Sequence, residues 1–150
     1  MTLSLQSDGW RAALHPEQGG RLTSLTCEGV EVLRTMTEGA TGPLESAGFP
    51  LVPYCNRIAE GRFEWEGRPV ELPKNFAPES SSIHGLGWQQ PWDVTREAGF
   101  KCALRHEHDG GEGWPWPYEA EQRVRLGRQG CAITLDVTNR ADTAMPAGCD

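Results

Sequence analysis

The chain has 150 residues, of which 37% are hydrophobic and 18 are glycine, and its formal net charge is -7. This length suits one domain with a single core, residues 1–150, and the composition argues against a disordered chain. The negative charge argues against nucleic acid or an anionic membrane surface as a partner. A neutral ligand suits the chain better.

The amino-terminal segment, MTLSLQSDGW, lacks the basic start and apolar run of a secretory signal. No stretch approaches the roughly 18 apolar residues of a membrane-spanning helix, so we expect a soluble cytoplasmic protein. The five cysteines form no CxxC pair. Their odd number and scattered spacing favour reduced thiols over a disulfide scaffold or a zinc site. We expect neither a cofactor nor a bound metal.

Alternation of apolar and polar residues, interrupted by Gly and Pro, predicts many short β-strands. In chain order the strand predictions are 21–27, 30–33, a hairpin turning at 66–69, a strand through Cys102 and His108, 118–126, and 133–137. In the last of these, Ile133, Leu135 and Val137 form the clearest apolar face. No window predicts a long amphipathic helix. The pattern predicts an all-β protein, a sandwich or a barrel.

Two long stretches break the strand pattern, residues 40–58 and 72–91. Both are rich in Pro, Gly, Asn and aromatic residues. Long loops in a compact β domain are usually either functional or disordered, and the aromatic content of these two favours order. We therefore expect the functional site to lie on these loops.

The first loop ends in Asn56 and Arg57. An amide with donors and an acceptor, next to a rigid fork of guanidinium donors, suits a pair of neighbouring sugar hydroxyls. The alternative is a structural arginine that pairs with a carboxylate such as Glu60.

The second loop contains His84 beside Gly85, followed by Trp88. A histidine held among glycines can act as a donor or an acid, and a nearby indole offers an apolar platform of the kind found in sugar sites. The alternative is a structural histidine that satisfies the loop.

His106 and His108 share one face of a strand and are a candidate start of a metal site, but no further ligands are evident, and we predict none. The Trp114–Pro117 segment, WPWP, is interpreted as a rigid and packed approach to the next strand. No GxSxG, P-loop or GxGxxG pattern is present in a suitable context.

Ordered segments along the chain resemble the aldose 1-epimerase, or galactose mutarotase-like, family. They are GGRLTSLTCEGVEVLR, FPLVPYCNRIAEGRFEWEGRPVELPKNF, IHGLGWQQPWDV, WPWPYEAEQRVRL and ITLDVTNRADTAMPAG. The resemblance implies a β-sandwich of the galactose mutarotase type (a supersandwich) and interconversion of the α and β anomers of an aldose. In this family a carboxylate base and a histidine acid open and close the sugar ring.

Carried over by position, the resemblance implies that Arg57 holds sugar hydroxyls with Asn56 beside it and with Trp88 nearby. It implies that His84 binds the sugar at the ring oxygen and assists catalysis. The segment that would follow Gly148 in the family, a His-Pro-Tyr-Phe-like strand with the principal acid, has no counterpart here, and neither has the base.

We therefore expect the amino-terminal portion of one such domain, apparently truncated, with its acid and base missing. A half-built sandwich exposes strand edges, so we expect a homo-oligomer that covers them. The alternative functions are a non-catalytic carbohydrate-binding module and a truncated fragment with only structural meaning.

Overall fold

A computed structural model describes all residues from Met1 to Asp150. Its regular structure is almost entirely β, with three single-turn 3-10 helices and no longer helix. The strands are β1 (Leu3–Ser7), β2 (Trp10–His15), β3 (Arg21–Cys27), β4 (Val30–Leu33), β5 (Arg57–Ile58), β6 (Arg62–Trp65), β7 (Arg68–Glu71), β8 (Ser82–Ile83), β9 (Asp93–Ala98), β10 (Lys101–His108), β11 (Tyr118–Gly127) and β12 (Gly130–Asn139). No helix is long and apolar enough to cross a membrane.

Two four-stranded antiparallel sheets form the body of the molecule, in the orders β1-β2-β3-β4 and β12-β11-β10-β9. Two small ribbons, β5-β8 and β6-β7, complete the strand pairing. The all-β prediction and the sandwich prediction are both confirmed.

The inner faces of the two large sheets share one hydrophobic core. Buried apolar residues alternate along β1 and β11, as in Leu3 and Leu5 of β1 and Val124 and Leu126 of β11. Each fully buried aliphatic side chain contributes about 1.5–3 kcal/mol through its removal from water. A buried polar tie joins the sheets, since the Gln122 side-chain amide donates to the Gly20 carbonyl at 2.8 Å.

The strongest period-two patterns of the sequence correspond to real strands. The predictions 21–27 and 30–33 match β3 and β4 residue for residue. The predicted hairpin is also present, but its turn has only two residues, Glu66 and Gly67, at φ angles of 50° and 74°. Positive φ at both positions is typical of a type I′ turn, whose twist fits a hairpin. The residues after this turn, Arg68 and Pro69, therefore belong to β7 and not to the turn.

The apolar face predicted on 133–137 points inward, and Leu135 and Val137 pack against the core, but Ile133 does not. The register of β12 against β11 pairs Ile133 with Val124 and Leu135 with Gln122, which places this row on the inner face. Ile133 is nevertheless 51% exposed. The reason is that β12 is an edge strand, and no strand of the facing sheet covers this position.

A matched pair of substitutions tests this burial pattern. Leu104 on β10 is 0% exposed, so Leu104→Ala should lower the free energy of unfolding by about 2–5 kcal/mol through lost burial and a cavity. Ile133→Ala removes a similar side chain from the edge of the same sheet face, and it should cost less than about 1 kcal/mol in dilute solution. Urea denaturation measures both. An equal loss for the two variants would show that the β12 face is covered.

Candidate functional site

The two long irregular stretches of the sequence meet in the structure. Arg57 pairs with Ile83 across the β5-β8 ribbon. Next to this ribbon, Val52 forms a parallel bridge with Gly85. The contact is close enough to require glycine, because a Cβ atom on Gly85 would lie 2.2 Å from the Val52 carbonyl oxygen. The loops predicted to carry the site thus form one surface.

Asn56 and His84 are joined by two hydrogen bonds. The His84 N–H donates to the Asn56 carbonyl at 3.0 Å. The Asn56 N–H donates to Nδ1 of the His84 ring, also at 3.0 Å. Both residues are in the left-handed region, at φ angles of 67° and 61°. This conformation is unfavourable for residues with a side chain, although Asn and His adopt it more readily than most. The reciprocal pair compensates for it and fixes the imidazole on the loop.

This hydrogen-bonding pattern determines the tautomer of the neutral imidazole. Because Nδ1 of His84 accepts a hydrogen bond from the backbone N–H of Asn56, the ring hydrogen of the neutral imidazole lies on Nε2. Partial burial of the ring, and secondarily the positive charge of Arg57, lower the pKa of His84 below its ordinary value. At neutral pH the ring is therefore uncharged and offers Nε2–H as a donor.

Arg57 forms a bidentate ion pair with Glu79. Nε donates to one carboxylate oxygen at 2.8 Å, and Nη2 donates to the other at 3.0 Å. The pair lowers the pKa of Glu79. The sequence suggested Glu60 as a carboxylate that could pair with Arg57. Glu60 forms no ion pair with Arg57, and the carboxylate that does is Glu79. The pairing occupies one edge of the guanidinium and leaves both N–H groups of Nη1 without a partner in the chain.

Trp88 does not form the exposed platform expected from the sequence. Its side chain is 0% exposed, and its indole N–H donates to the Gly85 carbonyl at 3.1 Å. Phe49 stacks on it with the ring centroids 5.6 Å apart, and the His84 ring meets it edge-on, also at 5.6 Å. Trp88 therefore packs against the His84 ring from inside the protein. A direct contact between its indole and a ligand would require Phe49 to move.

Asn75 and Glu79 belong to the site but were not singled out in the sequence. The Asn75 amide donates to the carbonyls of Ile83 and Gly85 at 2.7 and 2.9 Å, and its oxygen accepts from the Ile83 N–H at 2.8 Å. These three bonds fix the backbone on both sides of His84. The only sequence signal for Asn75 was an asparagine in a Pro-rich loop. Side-chain partners that are distant in sequence leave no local pattern.

The two strand histidines are engaged with protein groups, and the ring of His106 packs against Trp92 at the end of the second loop. His106 is buried, and its Nε2 lies 3.0 Å from the Tyr118 hydroxyl oxygen. Nε2 of His108 lies 2.7 Å from the Trp114 carbonyl oxygen. No cluster of three or more His, Cys, Asp or Glu side chains is arranged to hold a metal ion. Trp114 itself is buried, as expected for a packed WPWP segment.

Two four-stranded antiparallel sheets packed on one core, with long loops that meet beside them, define the chain as a β-sandwich. The family model for aldose 1-epimerase matches residues 1–149, and the chain belongs to this family. The match confirms the family that the sequence motifs suggested.

Two relatives and several solved structures support the assignment. YphB, an uncharacterised protein of Escherichia coli K12, is 28% identical over 148 residues, which are 99% of this chain and 50% of YphB. YihR of the same organism is 25% identical over 98% of this chain and 47% of its own. The chain spans about half the length of the curated relatives that it matches.

The solved structures give the same picture of the fold. A candidate aldose 1-epimerase from Escherichia coli K12 matches with a TM-score of 0.88 and 26% identity, over 99% of this chain and 50% of that one. A galactose mutarotase-like protein from Clostridium acetobutylicum matches with a TM-score of 0.83 and 20% identity, over 99% and 48%. The sandwich is therefore of the galactose mutarotase type.

The protonation of His84 can be measured directly. In an NMR titration its pKa should lie below the ordinary value of about 6.5, with the neutral ring protonated at Nε2. Arg57→Ala removes a nearby positive charge and should raise the pKa of His84, although burial should still keep it below the ordinary value. Arg57→Lys retains the charge and serves as the control. A neutral ring protonated at Nδ1 would contradict the hydrogen bond from Asn56.

Proposed function

We propose that this chain carries the sugar-binding part of an aldose 1-epimerase site and that Arg57 and His84 contact the sugar, with Asn56 beside them. The observation that supports this most is the hydrogen bond from the Asn56 N–H to Nδ1 of His84. It holds a neutral imidazole with Nε2–H as a fixed donor. An uncharged donor next to an arginine suits a neutral polyhydroxylated ligand.

Each of the proposed contacts has a free hydrogen-bonding group. Arg57 has a half-exposed side chain and keeps both N–H groups of Nη1, while Glu79 fixes the plane of the guanidinium. Along the free edge of the guanidinium, one N–H of Nη1 and the second N–H of Nη2 are parallel donors, which can bind neighbouring hydroxyl oxygens of one sugar ring. The Asn56 side-chain oxygen accepts a hydrogen bond from the backbone N–H of Arg57 at 3.0 Å. The side-chain N–H groups of Asn56 are left for a third hydroxyl.

The role that we assign to His84 is a hydrogen bond to the ring oxygen or to the hydroxyl beside it. Withdrawing electron density from the ring oxygen favours ring opening, so His84 assists catalysis. Because its pKa is lowered, the ring is a weak source of a full proton at neutral pH. His84 thus polarises the sugar and holds it, while the principal acid is another group.

We further propose that the principal acid and base of anomer interconversion are not among these residues. His106 is buried against Tyr118 and is closed to a substrate. Glu112 lies in an exposed glycine-rich turn with no hydrogen-bond partner that would orient it. The relatives have about twice the length of this chain. Catalysis of the complete reaction is proposed for the whole family fold, in the cytoplasm.

Sugar binding and polarimetry test these roles. D-Galactose or D-glucose, added to the labelled chain, should shift the NMR signals of Arg57 and His84. Arg57→Ala should weaken binding at least about tenfold, since a hydrogen bond to a charged group contributes about 1.5–3 kcal/mol. His84→Ala should weaken it about fivefold, a neutral bond being worth about 1 kcal/mol. Arg128→Ala, at a fully exposed arginine on the β11-β12 turn, is the control.

The polarimetric rate separates the functions. Mutarotation of freshly dissolved α-D-glucose should proceed with this chain at the uncatalysed rate. An accelerated rate would show that acid and base are present after all, and acceleration that survives His84→Ala would remove His84 from the mechanism. An absence of sugar binding would favour a purely structural fragment.

A non-catalytic carbohydrate-binding module is the alternative function, and it too predicts binding without acceleration. The coding sequence beyond the codon of Asp150 distinguishes the two. Continuation into a His-Pro-Tyr-Phe-like strand supports the epimerase, whereas its absence in every frame supports the binding module.

We propose finally that two copies of the chain associate through β12. Its inner row has Ile133 exposed, and its outer edge has unpaired backbone groups. Light scattering over a concentration series should show a homo-oligomer. Ile133→Lys places a charge on this row and should shift the population to monomer, whereas Thr134→Lys alters the opposite face of the same strand and should do so less. A monomer at every concentration would contradict the proposal.

A further inference from the structure

Two exposed cysteines follow residues that are bridged to each other. Gly148 forms a parallel bridge with Tyr54. The Cys55 N–H donates to the Gly148 carbonyl at 2.6 Å, and the Gly148 N–H donates to the Pro53 carbonyl at 3.0 Å. The residues next along each segment, Cys55 and Cys149, are brought together although they are distant in sequence.

Peptide geometry sets an upper limit on their separation. In a trans peptide the carbonyl oxygen lies on the same side as the next Cα atom, about 2.8 Å from it. The Gly148 oxygen, 2.6 Å from the Cys55 nitrogen, therefore places the Cα atoms of Cys55 and Cys149 no more than about 7 Å apart. The bond angles along this path shorten it further, into the range of about 4.4–6.8 Å that disulfides span.

Accessibility distinguishes this pair from the other three cysteines. Cys55 and Cys149 are exposed, Cys27 and Cys131 are half-buried, and Cys102 is buried. Burial also raises the pKa of the Cys102 thiol to about 11, which makes it a poor nucleophile. A reagent in solution therefore meets the two neighbouring thiols first.

We propose that Cys55 and Cys149 form a dithiol modification site, which a low-molecular-weight disulfide converts to an intrachain disulfide. The thiolate of one cysteine attacks a sulfur of the reagent and forms a mixed disulfide as one reagent thiolate leaves. The thiolate of the second cysteine attacks the mixed disulfide and displaces the other half of the reagent. The reagent gains two electrons and takes up the two cysteine protons, so it ends as two thiols.

The cross-link joins the segment at Gly148 to the loop that holds the imidazole. Cys55 directly precedes Asn56, whose N–H binds Nδ1 of His84. In the reduced chain, backbone hydrogen bonds keep the two segments together, those of Gly148 with Pro53 and Cys55 and those between Leu51 and Asp150. A covalent link between segments so far apart in sequence stabilises the folded chain by restricting the unfolded one. This inference does not depend on sugar binding.

Oxidised glutathione, added to the reduced chain at pH 8, tests the site. Peptide mapping without reductant should show one cross-link, between the Cys55 and Cys149 peptides, in a chain two hydrogen atoms lighter. The Tm should rise by about 5 °C or more. Cys55→Ser and Cys149→Ser should each abolish the cross-link, whereas Cys27→Ser at a half-buried thiol should keep it. Stable glutathione adducts on both cysteines without a cross-link, or a disulfide between two chains, would overturn the proposal.

A second probe reads proximity without oxidation. Phenylarsine oxide bridges two neighbouring thiols, so native mass spectrometry should show one arsenical bound to each reduced chain. Binding should be lost in Cys55→Ser and in Cys149→Ser and retained in Cys27→Ser. Retention of the arsenical in either of the first two variants would show that another pair of thiols binds it.

Discussion

The close contact between the loops at Val52 and Gly85, closed by the reciprocal bonds between Asn56 and His84, is the constraint on which the site depends. Neither loop has enough regular structure to hold its own side chains. Each loop is instead held by hydrogen bonds to the backbone of the other. Within the second loop, the Asn75 side chain also holds the backbone of Ile83. The left-handed backbone at both residues is tolerated because these bonds over-determine it.

The sandwich provides the support for that contact, and much of it was predictable. A strand such as β11 buries one face and leaves the other less buried, so its sequence alternates between apolar and polar residues. The burial of an edge strand cannot be predicted from such a pattern. Ile133 has the pattern of a core residue and points inward, yet its exposure depends on whether a strand lies opposite it, which is a property of the tertiary structure.

The residues of the candidate site divide in the same way. Some follow from a local sequence pattern, and others become evident only in the tertiary structure. Asn56, Arg57 and His84 could be proposed from the sequence because glycine, proline and polar residues in a long loop are a local signal. Glu79 was not, because the geometry that joins it to Arg57 arises only when the loops meet. The exposure of Trp88 was predicted wrongly for a related reason. An indole among glycines can face either the solvent or the core, and here the Trp88 ring stacks with Phe49 in the core.

The bond that positions His84 also limits what it can do. A proton added to its ring must go to Nδ1, where it would displace the hydrogen bond from Asn56 and lie near the charge of Arg57. The histidine is therefore built to stay neutral and to donate from Nε2, which suits recognition of an oxygen that gains electron density as a sugar ring opens. Delivering a proton to that oxygen requires a group with a higher pKa, held by other contacts. The contacts of Arg57 and His84 therefore favour the proposed hydrogen bonding to a neutral ligand over proton transfer by this imidazole.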